Sequence, residues 1–119
     1  TCVRVDIAMK GAVKVMNGKG LCSTLVVDHS NRLVGIITDG DIRRHIVKNQ
    51  EIWSLPAADV MTKNPKHIER EAPAYDALMI MEKNEITVLP ITTSAGRVCA
   101  ILHLHDILGK GDFRFDPMR

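Results

Sequence analysis

Apolar residues recur along this chain in two alternating spacings. At Met9, Ala12, Val13 and Met16 they fall three and four positions apart, which is one face of a helix. Over residues 21–27 and 33–38 they run together and are rich in β-branched side chains, as in buried strands. The polar tetrad Asp28-His29-Ser30-Asn31 between those runs predicts a hairpin turn. A short strand over residues 2–5 precedes the helix. A second helix follows Thr38, with Ile42, Ile46 and Val47 expected on its inner face. The second half repeats the pattern: a strand over 67–70, a stripe at Ala74, Ala77, Leu78 and Met81, and two apolar runs over 86–92 and 98–103. Thr93-Ser94-Ala95-Gly96 joins those runs, and a closing helix carries Ile107 and Leu108. The order is β-α-β-β-α, twice.

The halves align without a gap at an offset of 65 residues, which places Ala12 on Ala77, Met16 on Met81, Ile36 on Ile101 and Asp41 on Asp106. Gly18 and Gly20 stop the first helix, Asn84 stands at the matching stop, and Pro73 suits a helix start. The expected organisation is a first repeat over 1–50, a linker over 51–58, a second repeat over 59–110 and a polar tail over 111–119. Each unit is marginal alone. The expected fold is therefore α/β (α+β), with the repeats packed about a pseudo-twofold axis and equivalent clefts between the copies.

Composition narrows the function classes. Hydrophobic residues make up 45% of the 119, enough for a core. A net charge of +2 and 3% aromatics argue against a nucleic-acid or membrane-surface binder. The cysteines, Cys2, Cys22 and Cys99, are odd in number and form no CxxC pair, so the expected setting is a reducing cytoplasm. Cys22 and Cys99 fall in predicted strands and are expected to pack there. No apolar run reaches the length of a membrane span. The chain opens inside a predicted strand, without an initiating Met, and reads as a piece of a longer protein.

The chemistry concentrates at Gly35-Ile36-Ile37-Thr38-Asp39-Gly40-Asp41-Ile42-Arg43-Arg44, where a strand gives way to a helix. Unpaired N–H groups and the dipole at a helix start favour a phosphate. The Thr38 hydroxyl can bond a phosphate, the Asp41 carboxylate a ribose diol, and Arg43 or Arg44 can add charge. Thr38-x-x-Asp41 equally has the form of a capping box, which needs no ligand. In the second copy the place reads His103-Leu104-His105-Asp106: the carboxylate stays and histidine replaces threonine. His103, His105 and Asp106 are metal-ligand types, yet no further ligand is visible, and the simpler reading has His103 facing the cleft and His105 capping the helix. Asn17-Gly18-Lys19-Gly20 follows a helix and is a C-cap rather than a phosphate loop. His29, His45 and His67 are isolated and expected at the surface. No nucleophile–base pair has a local signature, so catalysis is not expected of this chain.

These segments resemble a tandem pair of cystathionine-β-synthase (CBS) domains, with Asp59-Val60-Met61-Thr62 like the entry to a second copy. Residues 35–44 and 101–108 further resemble the C-terminal half of the arabinose-5-phosphate isomerase family, except that Ala100 stands where a glycine is usual. The resemblance implies a regulatory module whose catalytic sugar isomerase (SIS) domain lies elsewhere in a parent enzyme of the Kdo and lipopolysaccharide pathway. It implies no required cofactor. The effector it implies is a nucleotide such as AMP or ATP, or a sugar nucleotide such as CMP-Kdo. Thr38 and Asp41, then His103 and Asp106, would contact phosphate and ribose, with Arg43 nearby. It also implies a homodimer, with no nucleic-acid or membrane partner. The alternatives are a structural oligomerisation module of the same enzyme, or a sensor from another host protein.

Overall fold

The computed structural model describes residues 2–20, 22–48 and 51–108. The tail beyond Leu108 and the side chains of Ile107 and Leu108 lie outside the described part. Two units divide the chain, Thr1–Pro65 and Lys66–Arg119. The first holds β1 (Cys2–Arg4), α1 (Met9–Gly18), β2 (Ser23–Val27), β3 (Leu33–Thr38) and α2 (Asp39–Lys48). A 3-10 turn (Ile52–Ser54), α3 (Ala57–Val60) and β4 (Thr62–Lys63) complete it. The second holds β5 (Ile68–Glu69), α4 (Ala74–Asn84), β6 (Val88–Thr92), β7 (Val98–His103) and α5 (Leu104–Leu108). The β-α-β-β-α order expected from the periodicity is present in both.

The 65-residue offset holds at the level of single backbone pairs. The parallel pair Val3 with Val26 recurs as Ile68 with Ile91. The antiparallel pair Ser23 with Thr38 recurs as Val88 with His103, and a register shift falls at Val26/Val27 and again at Ile91/Thr92. Both hairpin turns need a left-handed residue, Asn31 (φ 64°) in one and Gly96 (φ 85°) in the other. Asp28 Oδ1 accepts the N–H groups of Ser30 and Arg32 at 2.9 Å each. Thr93 Oγ1 plays the same part for Ala95 and Arg97 at 3.2 Å. Those backbone donors, that of Arg32 first, hold the Asp28 carboxyl below its usual range.

The helical stripes bury as their spacing predicts except at Ala74, which is exposed in the first turn of α4. Met9, Ala12 and Met16 of α1 pack on Val3, Val26 and Ile37. Ala77 and Met81 of α4 pack on Leu89, with Ile68, Leu78 and Leu102 around them. Helix α2 departs from expectation. Ile46 is 44% and Val47 85% exposed, and α2 instead turns Asp41 inward with Ile42 beside it. Position 41 must face the strand end to serve as a cap, and at 100° per residue that rotates 46 and 47 outward. Cys22 and Cys99 are exposed rather than packed, because β2 begins only at Ser23 and Cys99 lies on the open face of β7.

The connecting segment is not a loose linker. Ile52, Ala57 and Val60 are buried in the first core. Backbone bonds tie Ala57 N to Ile7 O (2.7 Å) and Ala58 N to Val5 O (3.1 Å). Strand β4 then pairs with β3, giving the order β1-β2-β3-β4 against β5-β6-β7 in the second unit. The packing boundary therefore falls after Pro65, although Asp59–Thr62 reads in sequence as the entry to the second repeat. This extra strand explains Gly35. A Cβ there would lie 2.3 Å from Met61 Sδ and 3.0 Å from the Thr62 carbonyl oxygen. At the matching position of β7, Ala100 is exposed and no fourth strand covers it among the described residues.

Candidate functional site

Strand β3 delivers Thr38 to the start of α2, and the chain there closes a complete capping box. Asp41 N–H donates to Thr38 Oγ1 (3.2 Å), and Thr38 N–H donates to Asp41 Oδ2 (2.9 Å). The Thr38 hydroxyl also donates to Oδ2 (3.1 Å). On the other oxygen, Oδ1 accepts from Thr62 Oγ1 of β4 (2.8 Å) and from the Arg44 guanidinium. Asp41 is only 3% exposed. A buried carboxylate is tolerable when its roughly four acceptor positions are filled, and here four donors fill them. His45, with its proton on Nδ1, donates to the Asp41 carbonyl at 3.0 Å. It is half-buried against its own helix, not isolated at the surface.

The structure thus brings Thr38 and Asp41 together, and the arginine on the carboxylate is Arg44, not Arg43. Arg43 is exposed. The helical rule would have chosen correctly, since positions three apart share a face and positions two apart do not. Thr62 left no local signal. It lies 21 residues from Asp41 in sequence and arrives only because β4 pairs with β3. Asp39 and Asp41 both stand in the first turn of α2, which suits the helix dipole and sets two carboxylates at the place expected to favour an anion. Arg44 is the cation that offsets them.

The equivalent place in the second unit is built differently. Leu104 N–H still donates to Thr87 O (2.7 Å), matching Asp39 N–H to Cys22 O (3.2 Å). Histidine at 103 supplies no hydroxyl for a capping box of the first kind. Asp106 stays 48% exposed at its side chain, and His105 Nε2 lies 3.2 Å from its Oδ1. The rings of His103 and His105 lie 5.4 Å apart, tilted against each other. His105 therefore pairs with its neighbour's carboxylate and stacks loosely on His103. Among the described residues no group of three or more His, Cys, Asp or Glu side chains converges as a metal site. Beside the start of α5 a cavity of about 520 Å³ opens in this unit, lined by Leu78, Met81, Ile86 and Leu104 with Glu82 and Glu85. Its lining is mainly apolar. No helix among the described residues is long and apolar enough to cross a membrane.

Comparison with known proteins also finds two copies, the second beginning before the packing boundary. The CBS domain family model matches residues 1–48 and 57–111. The arabinose 5-phosphate isomerase KdsD of Pseudomonas aeruginosa is 36% identical over 109 residues, covering 92% of this chain and 33% of that enzyme. The chain spans about a third of the length of this and similar curated relatives. A CBS domain protein from Pyrobaculum aerophilum, solved with AMP, superposes with a TM-score of 0.84 at 13% identity, covering 95% of this chain and 86% of that one. A CBS domain pair solved with 5′-methylthioadenosine and S-adenosyl-L-methionine has a TM-score of 0.78 and is 25% identical, over 89% of this chain and 82% of that one. Both repeats are matched, and the equivalence between them extends to individual hydrogen bonds; this chain belongs to the CBS domain family, as a tandem pair.

Proposed function

We propose that this CBS pair is the effector-sensing region of an arabinose-5-phosphate isomerase whose catalytic SIS domain lies in another part of the parent chain. The observation that carries the sensing role is the convergence of Thr38 and Asp41 at the start of α2. A hydroxyl and a carboxylate one turn apart are the group types that bond a phosphate and a ribose diol; each is engaged with the other here, so a ligand binds by exchanging with those bonds. The parent enzyme is inferred from the KdsD relative, which matches over nearly the whole of this chain. The ligand class is an adenosine nucleotide or a sugar nucleotide such as CMP-Kdo. Adenosine compounds occupy CBS proteins of this fold, and histidine at 103 in place of threonine favours a ligand other than plain AMP in the second unit. His103 and Asp106 would contact it there, and Arg43 would add charge near Thr38.

Calorimetric titration with AMP, ATP, CMP and CMP-Kdo tests this directly. Saturable heat is expected from at least one of them. Asp106→Ala, at an exposed carboxylate, should weaken binding in its unit by about 1–3 kcal/mol through loss of hydrogen bonds to the charged acceptor. Absence of heat from all four ligands with folded protein rejects effector sensing. A second reading, a structural homodimerisation module, is favoured by the exposed apolar side chains Ile46, Val47 and Trp53 in the first unit. Light scattering on the same samples separates the two, because that reading requires a dimer with no ligand response.

A further inference from the structure

The Asp41 carboxylate already holds as many donors as it can accept. Three of the four are fixed by the fold: Thr38 N–H at the end of β3, the Thr38 hydroxyl, and Thr62 Oγ1 on the strand paired beside it. The fourth is the Arg44 guanidinium, whose side chain is 64% exposed and reaches back one turn along α2. Each diol hydroxyl that bonds this carboxylate needs an acceptor position, so at least one of the four must leave.

Physical reasons single out Arg44. Its head returns to water at little desolvation cost, and its long stem regains rotamer freedom on release. It also sits at the positive end of the α2 dipole, where a cation is disfavoured unless carboxylates hold it. Gly40 opens the path: a Cβ there would come within 3.3 Å of the guanidinium. The threonines by contrast are short side chains on paired strands, and moving Thr62 would break its fit against β3.

We propose that Arg44 is an internal competitor for the ribose diol at Asp41, a side chain that occupies the site and sets its affinity. The inference rests on the reading of Asp41 as a ribose acceptor. It implies that the first unit is closed by its own arginine while Asp106, held only by an exposed histidine, is open. The two sites then differ in affinity before any difference in ligand chemistry is counted.

The test uses adenosine, which carries the diol but no phosphate, so that loss of the Arg44 charge cannot itself weaken binding. Arg44→Ala, and Arg44→Met, which keeps the aliphatic stem, are made in the Asp106→Ala background to isolate Asp41. Fold is checked by circular dichroism. Relative to that background, both variants should bind adenosine about two- to fivefold more tightly, the size of a partly exposed charge pair removed. The gain should vanish with 2′,3′-dideoxyadenosine. Unchanged or weaker adenosine binding, or a gain that survives with the dideoxy analogue, overturns the competitor role. If AMP binds the unmodified chain while the variants show no gain, the competitor falls and nucleotide sensing stands. If neither adenosine nor AMP binds any form, the competitor falls, and effector sensing falls with it only when ATP, CMP and CMP-Kdo also give no heat.

Discussion

Glu85 takes a left-handed backbone conformation (φ 55°, ψ 45°) at the end of α4, a conformation that glycine usually supplies at helix ends. Its repeat counterpart, Gly20, has φ 65° at the end of α1. The same φ costs a glutamate steric strain that a glycine avoids. Asn84, the residue expected to provide the stop, is instead the last helical residue, and its amide donates to Ile80 O at 2.8 Å. Glu85→Gly should therefore raise the stability of the folded state by about 0.5–1 kcal/mol, the strain relief less the extra entropy of an unfolded glycine. Urea unfolding measures it, and a lower midpoint for the variant would mean that Glu85 makes compensating contacts. At this same scale the sequence showed the Thr38–Asp41 cap through spacing alone. It left Arg43 and Arg44 undecided because both follow the cap closely and only helical phase separates them.

Strands β3 and β7 are equivalent in sequence yet carry different neighbours, and this decides what each tolerates. Gly35 admits β4 across its face, while Ala100 meets no such strand among the described residues. An alanine is accommodated at 100 because no fourth strand lies beside β7 there among the described residues. Gly35→Ala should destabilise by about 1–3 kcal/mol, as overpacking of a filled site does. The nearest obstacle is the flexible Met61 side chain, so part of that loss should disappear in a Met61→Ala background. A double-mutant cycle should give a coupling of about 1 kcal/mol, and strictly additive costs would show that the glycine matters for another reason. Helix α2 teaches a related lesson. Its apolar residues at 42, 46 and 47 suggested an inward stripe, but the cap at Asp41 sets the rotation of the helix, and Ile46 and Val47 face outward.

For the molecule as a whole, the packing boundary and the repeat boundary do not coincide. The segment Ala57–Val60, with β4 behind it, belongs by sequence near the second repeat and by packing to the first core. This predicts linked stability. Ile37→Ala removes a fully buried side chain of the first core and should cost about 2–5 kcal/mol there. Native-state hydrogen exchange should then accelerate at the amides of Ala57 and Ala58 along with those of β2 and β3. Amides of β6 and β7 should keep their protection. If Ala57 and Ala58 instead follow β6, the assignment of this segment to the first core is wrong.

The sequence by itself determined the repeat, its β-α-β-β-α order, the helical stripes, the two hairpin turns and the cap at Thr38 and Asp41. All of these follow from local periodicity, chirality and hydrogen bonding within a few residues. Tertiary structure decided which strand lies against β3, and so why position 35 is glycine. It also brought Thr62 to a carboxylate 21 residues away, buried Ile52 and Ala57 of the connecting segment, and left Asp106 open while Asp41 is closed. Those outcomes depend on which distant surfaces meet, and burial, steric room and carboxylate saturation exist only once the chain has packed.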